Sequence, residues 1–230
     1  MTTAIEVPSS PMVPEPPSPP DGGESRYLIQ DIGWEGYLKL LDAFVDCGPR
    51  MAYLNGTVEQ VTTGFRHERF KKILGRMIEY VIIELGIPVY ALGSATFQRQ
   101  GVGRGVEPDE CYYLANVDRL DDEDKIDLEV VPPPDLVIEV EISSPLLDKL
   151  AIYAGLGVPE LWRYDGRDLT LLLLQPDGSY TMSSRSKAFP FLPMDAFARH
   201  LQDYTPKQES RWALTYRTWV REVVAPLHQP

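Results

Sequence analysis

The sequence predicts a single α/β domain, residues 26–230, behind a disordered Pro-rich tail, residues 1–25. Three observations carry that prediction. The first stretch, "MTTAIEVPSSPMVPEPPSPPDGGES", is dominated by Pro, Ser and Glu and has almost nothing to bury. Residues 66–85 repeat apolar positions at helical spacing. The stretch "PPPDLVIEVEISSP" instead alternates with period two, as a strand does, and is followed by a helical segment and further strand-like runs.

The elements follow in order. "WEGYLKLLDAFVDCG" is an amphipathic helix stopped by Gly48. "MAYLNGTVEQVT" alternates around a central Asn-Gly and forms a tight hairpin. In the long helix, Phe70, Leu74, Met77, Ile78, Val81, Ile82 and Leu85 share one face, and Gly86 with Pro88 ends it. Strands are expected at 88–92, 94–99 and 108–114, with "GVGRG" as a hairpin-like connection or flexible lip. The acidic loop "NVDRLDDEDKID" leads to a strand over 135–142. Ser144 and Pro145 read as the N-cap and first residue of the next helix. Strands joined by Asp-Gly turns then fill "PELWRYDGRDLTLLLLQPDGSYTM", and helices near 193–202 and 208–224 close the chain.

Composition narrows the function. No apolar run approaches the ~20 residues of a membrane span, so no membrane partner is expected. The N-terminus has no basic residue before Arg26 and no apolar core of a secretory leader. Cys47 and Cys111 lack metal or redox spacing and read as reduced thiols of a cytoplasmic protein. The net charge of −12 argues against loose adhesion to nucleic acid, which is driven by Lys and Arg.

The carboxylates are the chemical signal. Asp135, Val137, Glu139, Glu141 and Ser143 share one strand face, opposite Leu136, Ile138, Val140 and Ile142. Glu139 and Glu141 are roughly 7 Å apart, a repulsion of about 2–3 kcal/mol at an effective dielectric near 20. Residues 126–148 hold six acids and no Lys or Arg; the first cation is Lys149. A divalent ion would neutralise such a face, and Mg²⁺ or Mn²⁺ favours hard oxygen ligands. "VEPDECYYL" adds Glu107, Asp109 and Glu110, and Asp109 meets Glu139 if its strand pairs with 135–142. The plainer reading is a solvated acidic face. Asp135, at the start of the strand, is assigned to structure.

"EPDECYYL" and "PPPDLVIEVEISSPLLDKLAIYAGLGVPELWRYDG" resemble the Uma2 family of restriction-endonuclease-like proteins, in the form abundant in cyanobacteria. The resemblance extends upstream through the Asn-Gly hairpin, "RHERFKKILGRMIEY" and "GSATFQR", over roughly residues 35–185. It implies a restriction-endonuclease-like α/β (α+β) fold of the PD-(D/E)XK superfamily, a central mixed β-sheet flanked by helices. It also implies a Mg²⁺- or Mn²⁺-dependent endonuclease hydrolysing phosphodiesters, with DNA first among nucleic-acid partners. A homodimer is compatible with it, although no dimer motif is visible.

On that resemblance Asp109 and Glu139 are metal ligands, with the Val140 carbonyl a further one. Glu141 stands where the superfamily has its lysine, and Lys149 is the migrated catalytic lysine. Glu141 would bind a second ion or hold Lys149, and Glu68 on the long helix is an additional acid. His67, Arg69, Lys72 and Arg104 are the candidate substrate contacts. For His67 and Glu68, helix capping is the plainer reading. For the cations of "RHERFKKILGR" it is a solvated helix face. A catalytically inactive protein of the same fold, acting as a binding or regulatory partner, is the competing expectation.

Overall fold

The computed structural model describes residues 24–44, 48–120 and 126–228. The tail up to residue 23, Cys47 and the middle of the acidic loop lie outside the described residues.

In chain order the elements are β1 (Ser25–Ile29), α1 (Trp34–Ala43), β2 (Arg50–Leu54), β3 (Thr57–Thr62) and α2 (Phe65–Leu85). Then come β4 (Tyr90–Leu92), β5 (Phe97–Arg99), β6 (Arg104–Val106), β7 (Glu110–Tyr113), β8 (Leu136–Val140) and α3 (Lys149–Leu156). The chain finishes with β9 (Glu160–Tyr164), β10 (Leu169–Leu174), β11 (Tyr180–Ser183), α4 (Met194–Gln202) and α5 (Glu209–Trp219). A π-helical turn, Val220–Val224, extends α5.

The expected mixed sheet flanked by helices is present, in the order β11-β10-β9-β8-β7-β4. Only the β8–β9 pair is parallel, because α3 crosses over between those two strands; the other pairs are antiparallel. A second, antiparallel sheet, β1-β3-β2-β6-β5, was not foreseen. Two of its strands defeated the pattern reading. Part of β1 fell in the stretch assigned to the tail, and "GVGRG" runs from a tight turn into β6.

The Asn-Gly hairpin is as expected, with Asn55 at φ 45° and Gly56 at φ 94°, the left-handed values a two-residue hairpin turn demands. Helix α2 ends at Gly86 in the left-handed conformation, φ 65°.

The helix after β8 starts later than Ser144–Pro145. Asp148 is its N-cap, accepting a bond from the Ala151 amide at 3.0 Å, and Lys149 is its first residue. Ser143, in the connection between β8 and this helix, bonds with Glu24 and Arg26.

Strand β8 is buried on both faces. Leu136, Ile138 and Val140 pack on α2 and the terminal helices, with Trp162, Phe197 and Tyr216. Val137 faces the other way, into a core shared by α3 (Ile152, Tyr153, Leu156) and the second sheet (Ala52, Phe97, Val106). Tyr112, Tyr113, Tyr153 and Trp162 are all core residues. The acidic face of β8 is therefore enclosed between sheets, not solvated, and that enclosure creates the site.

Candidate active site

β7 and β8 run antiparallel with Glu110 opposite Ile138. Continuing that register by one residue sets Asp109 opposite Glu139, with side chains on the same face. Both are buried, at 0% and 2% exposure. Glu139 lines a small cleft of about 20 Å³ together with Arg26, Arg50, His67, Glu107, Val140 and Lys149, and Asp109 lies directly behind its lining, against Arg50, His67 and the Val140 amide.

Every carboxylate here has a protein partner, so side chains supply the neutralisation that the sequence reading looked for in a divalent ion. Asp109 accepts from the Val140 amide at 2.6 Å and is ion-paired with Arg50, while His67 Nε2 lies 3.2 Å from it. Glu139 accepts from Lys149 Nζ at 2.6 Å and from the Tyr153 hydroxyl. Glu141 lies near Arg163, with Nε 3.6 Å from its carboxylate. The compensating cations come from distant parts of the chain, so a window of neighbouring residues could not reveal them.

A buried ionic staple holds the segment that carries Lys149. Arg26 on β1 donates to Glu24 at 2.8 Å, to Glu59 at 2.9 Å and to Ser143 Oγ at 3.0 Å. Glu59 also accepts from the Leu146 amide at 2.9 Å, and Glu24 from the Ser143 amide at 3.2 Å. The β8–α3 connection is thus fixed by the second sheet. Burial opposes the Glu24 charge, yet its bonds from Ser143 and Arg26 prevail and lower its pKa.

Asp135 is structural, as expected: it accepts from the Leu114 amide at 2.7 Å and from both the amide and side chain of Asn116. Glu107 likewise accepts from the Met51 amide at 2.7 Å and Thr96 Oγ1 at 3.0 Å, tying the two halves of the second sheet together.

Burial, reinforced by Arg50, lowers the pKa of His67 against the pull of Glu24, Glu68 and Glu139. It is the neutral imidazole that faces Asp109 at ordinary pH. Burial, then the Glu139 charge, raises the pKa of Glu141.

Not every candidate joins the cleft. Glu68 is half exposed at the rim, taking bonds from Thr63 at 2.6 Å and Arg50 at 3.3 Å. Glu141 opens onto a neighbouring groove instead. The Arg69 guanidinium lies over the Phe65 and Phe70 rings, and Lys72 is exposed farther along α2. Arg104 lies across α3, donating to the Ala151 carbonyl at 3.3 Å and Asn55 Oδ1 at 2.6 Å. Gly155 makes that crossing feasible, since an added Cβ would sit 2.9 Å from Arg104 Cγ. Arg69, Lys72 and Arg104 do not line the cleft: α2 carries Arg69 and Lys72 away from it, and Arg104 leaves β6 across α3. Of the candidate substrate contacts, only His67 lines it.

A family model described as "Uma2: Putative restriction endonuclease" matches residues 34–203. The chain belongs to the Uma2 family. A crystal structure of a putative nuclease of DUF820 from Anabaena variabilis is similar at 18% identity and a TM-score of 0.45, covering 75% of this chain and 98% of that one. No curated protein matches.

For this Uma2 chain, Asp109, Glu139 and the Val140 carbonyl offer oxygens of the hard kind that could hold Mg²⁺ or Mn²⁺. Among the described residues no three His, Cys, Asp or Glu side chains are grouped to hold a metal ion. An ion here would have Asp109, Glu139 and the Val140 carbonyl as its protein oxygens and water or substrate oxygens in its other positions. Arg50 stands where it neutralises Asp109 without one. Among the described residues no helix is long and apolar enough to cross a membrane.

Sequence reasoning missed Arg50, Tyr153 and the Glu24–Arg26–Glu59 staple. Tyr153 was within reach, since it stands four residues after Lys149 and so shares its helix face. Arg50 and Glu24 carried no local signal.

Proposed function

We propose that this protein is a metal-dependent nuclease hydrolysing phosphodiester bonds, with DNA as its substrate. The supporting observation is that Glu139 and Lys149 line one cleft, with Lys149 Nζ 2.6 Å from Glu139, while Asp109 packs against its lining residues Arg50, His67 and Val140. Asp109, Glu139 and the Val140 carbonyl would hold Mg²⁺ or Mn²⁺. The ion would supply Lewis-acid polarisation of a phosphoryl oxygen and a more acidic water.

The chain's own groups do the rest. Tyr153 fixes one oxygen of Glu139, leaving the other toward Lys149. The Lys149 ammonium stabilises negative charge building on the phosphate, or orients the attacking water. His67 Nε2 lies 3.2 Å from the Asp109 oxygen that Arg50 does not pair with. The second sheet excludes bulk water from these charges, which strengthens them.

Plasmid and single-stranded DNA offered with Mg²⁺ or Mn²⁺ test this. Cleavage is expected in the wild type and reduced at least about 100-fold in Asp109→Ala and in Glu139→Ala, the scale of a lost electrostatic group. Cleavage unchanged in both variants would defeat the assignment.

One observation favours a second reading, a non-catalytic binding protein. Arg50 and Lys149 already neutralise the two acids, so the fold is stable in charge without an ion. Calorimetric titration showing no Mn²⁺ binding would select it.

A further inference from the structure

Beside the cleft runs a second, open groove of about 390 Å³, lined by Arg66, Arg163 and Arg167 with Glu141, Ser143, Ser144 and Asp165. The two spaces share a wall. Glu139 faces the cleft and Glu141 the groove; His67 faces the cleft and Arg66 the groove. Alternate residues of a strand are roughly 7 Å apart, so the two spaces lie side by side.

The groove is a cationic exception in a chain of net charge −12. Asp165 is occupied with its own turn, accepting from the Arg167 and Asp168 amides at 2.8 and 2.7 Å. Glu141 is faced by Arg163. Arg66 bonds only weakly, to the Gly166 carbonyl at 3.4 Å, and Arg167, 88% exposed, has only a loose pair with the exposed Asp168 at 3.8 Å, a contact worth little in water. Two guanidiniums therefore remain available for an anion. Guanidinium forks match phosphate oxygens in geometry as well as charge.

The neighbouring residue adds a second feature. Phe65, beginning α2, is 78% exposed, with the Arg69 guanidinium 5.8 Å from its ring. An exposed ring beside arginines is a surface on which an unpaired base stacks. A duplex keeps its bases stacked on one another and offers no free face to Phe65.

We infer that the groove binds the phosphates of a single nucleic-acid strand, with Arg66 and Arg167 as contacts and Phe65 stacking a base, next to the cleft where that strand is cut. This rests on the nuclease reading and adds its substrate form.

Fluorescence anisotropy with labelled oligo(dT), alone and paired with oligo(dA), tests it in Ca²⁺ and again in EDTA. The wild type is expected to prefer the single strand. Arg66→Ala/Arg167→Ala should weaken that binding at least about tenfold and lower the slope of log affinity against log salt by about 1.4, some 0.7 per lost contact. Phe65→Ala should weaken it about five- to a hundredfold and leave the duplex unaffected. Arg167→Lys retains the charge and should keep the salt slope; circular dichroism melts confirm that these exposed substitutions fold. Unchanged binding in the arginine double variant, or equal preference for the duplex, overturns the inference alone when the wild type still cuts DNA. A wild type that neither binds nor cuts either probe overturns the nuclease reading with it.

Discussion

Lys149 donates to Glu139 at 2.6 Å across the join of α3 and β8, with 12% and 2% of the two side chains exposed. A pair this enclosed behaves as a unit. Removing one member leaves a buried charge without compensation, whereas replacing both can be nearly neutral.

Lys149→Met should therefore lower stability by about 3–5 kcal/mol. Adding Glu139→Gln should recover most of that loss while leaving DNA cleavage absent. Urea unfolding measures the first effect and a plasmid assay the second. A Lys149→Met protein within about 0.5 kcal/mol of wild type, the range of ordinary surface changes, would show that the pair is not buried in solution.

Arg50 gives a second prediction. Its guanidinium is ion-paired with Asp109, which has no exposed surface. Arg50→Gln should destabilise the metal-free protein by about 3–5 kcal/mol, as for any broken buried pair. Mn²⁺ should then raise the melting temperature of the variant more than that of the wild type, because a ligand bound only to the folded state stabilises it by mass action. Equal shifts in both proteins would separate Arg50 from the ion's position.

Glu110 supplies the pH dependence. It points away from the cleft toward α2, where an added Cβ on Gly75 would lie 3.3 Å from its carboxyl. Burial raises its pKa from 4.5 to about 7, with Lys71 opposing and Glu79 adding to the rise. Because the folded pKa is raised, the favourable contribution is complete below 4.5 and is lost as pH climbs to about 7. Glu110→Gln should thus match wild type near pH 4 and exceed it above pH 7. The margin should be about 1–2 kcal/mol, below the full equivalent of the shift because partial solvent contact screens it. A constant difference between the proteins across that range would contradict the assignment.

The legible parts of this site were those with a local signature. The period of two placed Glu139 on the face of β8 opposite Leu136, Ile138 and Val140, and strand pairing then brought Asp109 opposite Glu139. Charge balance was misleading because it is settled in three dimensions. Arg50 and Arg163 lie 59 and 22 residues from the acids they face, so a charge-poor window said nothing of its partners. Glu24 was unreadable for the same reason: it adjoins a Pro-rich segment, and only the β1–β3 pairing brings it to Ser143. The short β6 offered three residues, two of them from a glycine-rich run, too few to display alternation.

Asp148 tests whether the helix start positions the lysine. Its carboxylate accepts from the Ala151 amide at 3.0 Å and caps α3 at the residue before Lys149. Asp148→Ala should cost about 1 kcal/mol, the ordinary loss for an N-cap. Its effect on cleavage should be larger than that small destabilisation suggests, since fraying the first turn frees Lys149 from Glu139 and misplaces a charge that must be held closely. Asp148→Asn keeps a capping oxygen and should retain both stability and activity. Single-turnover rates beside melting curves separate the two effects. Should Asp148→Ala melt earlier yet cleave at the wild-type rate, Lys149 would be held by Glu139 alone and the cap would have no part in catalysis.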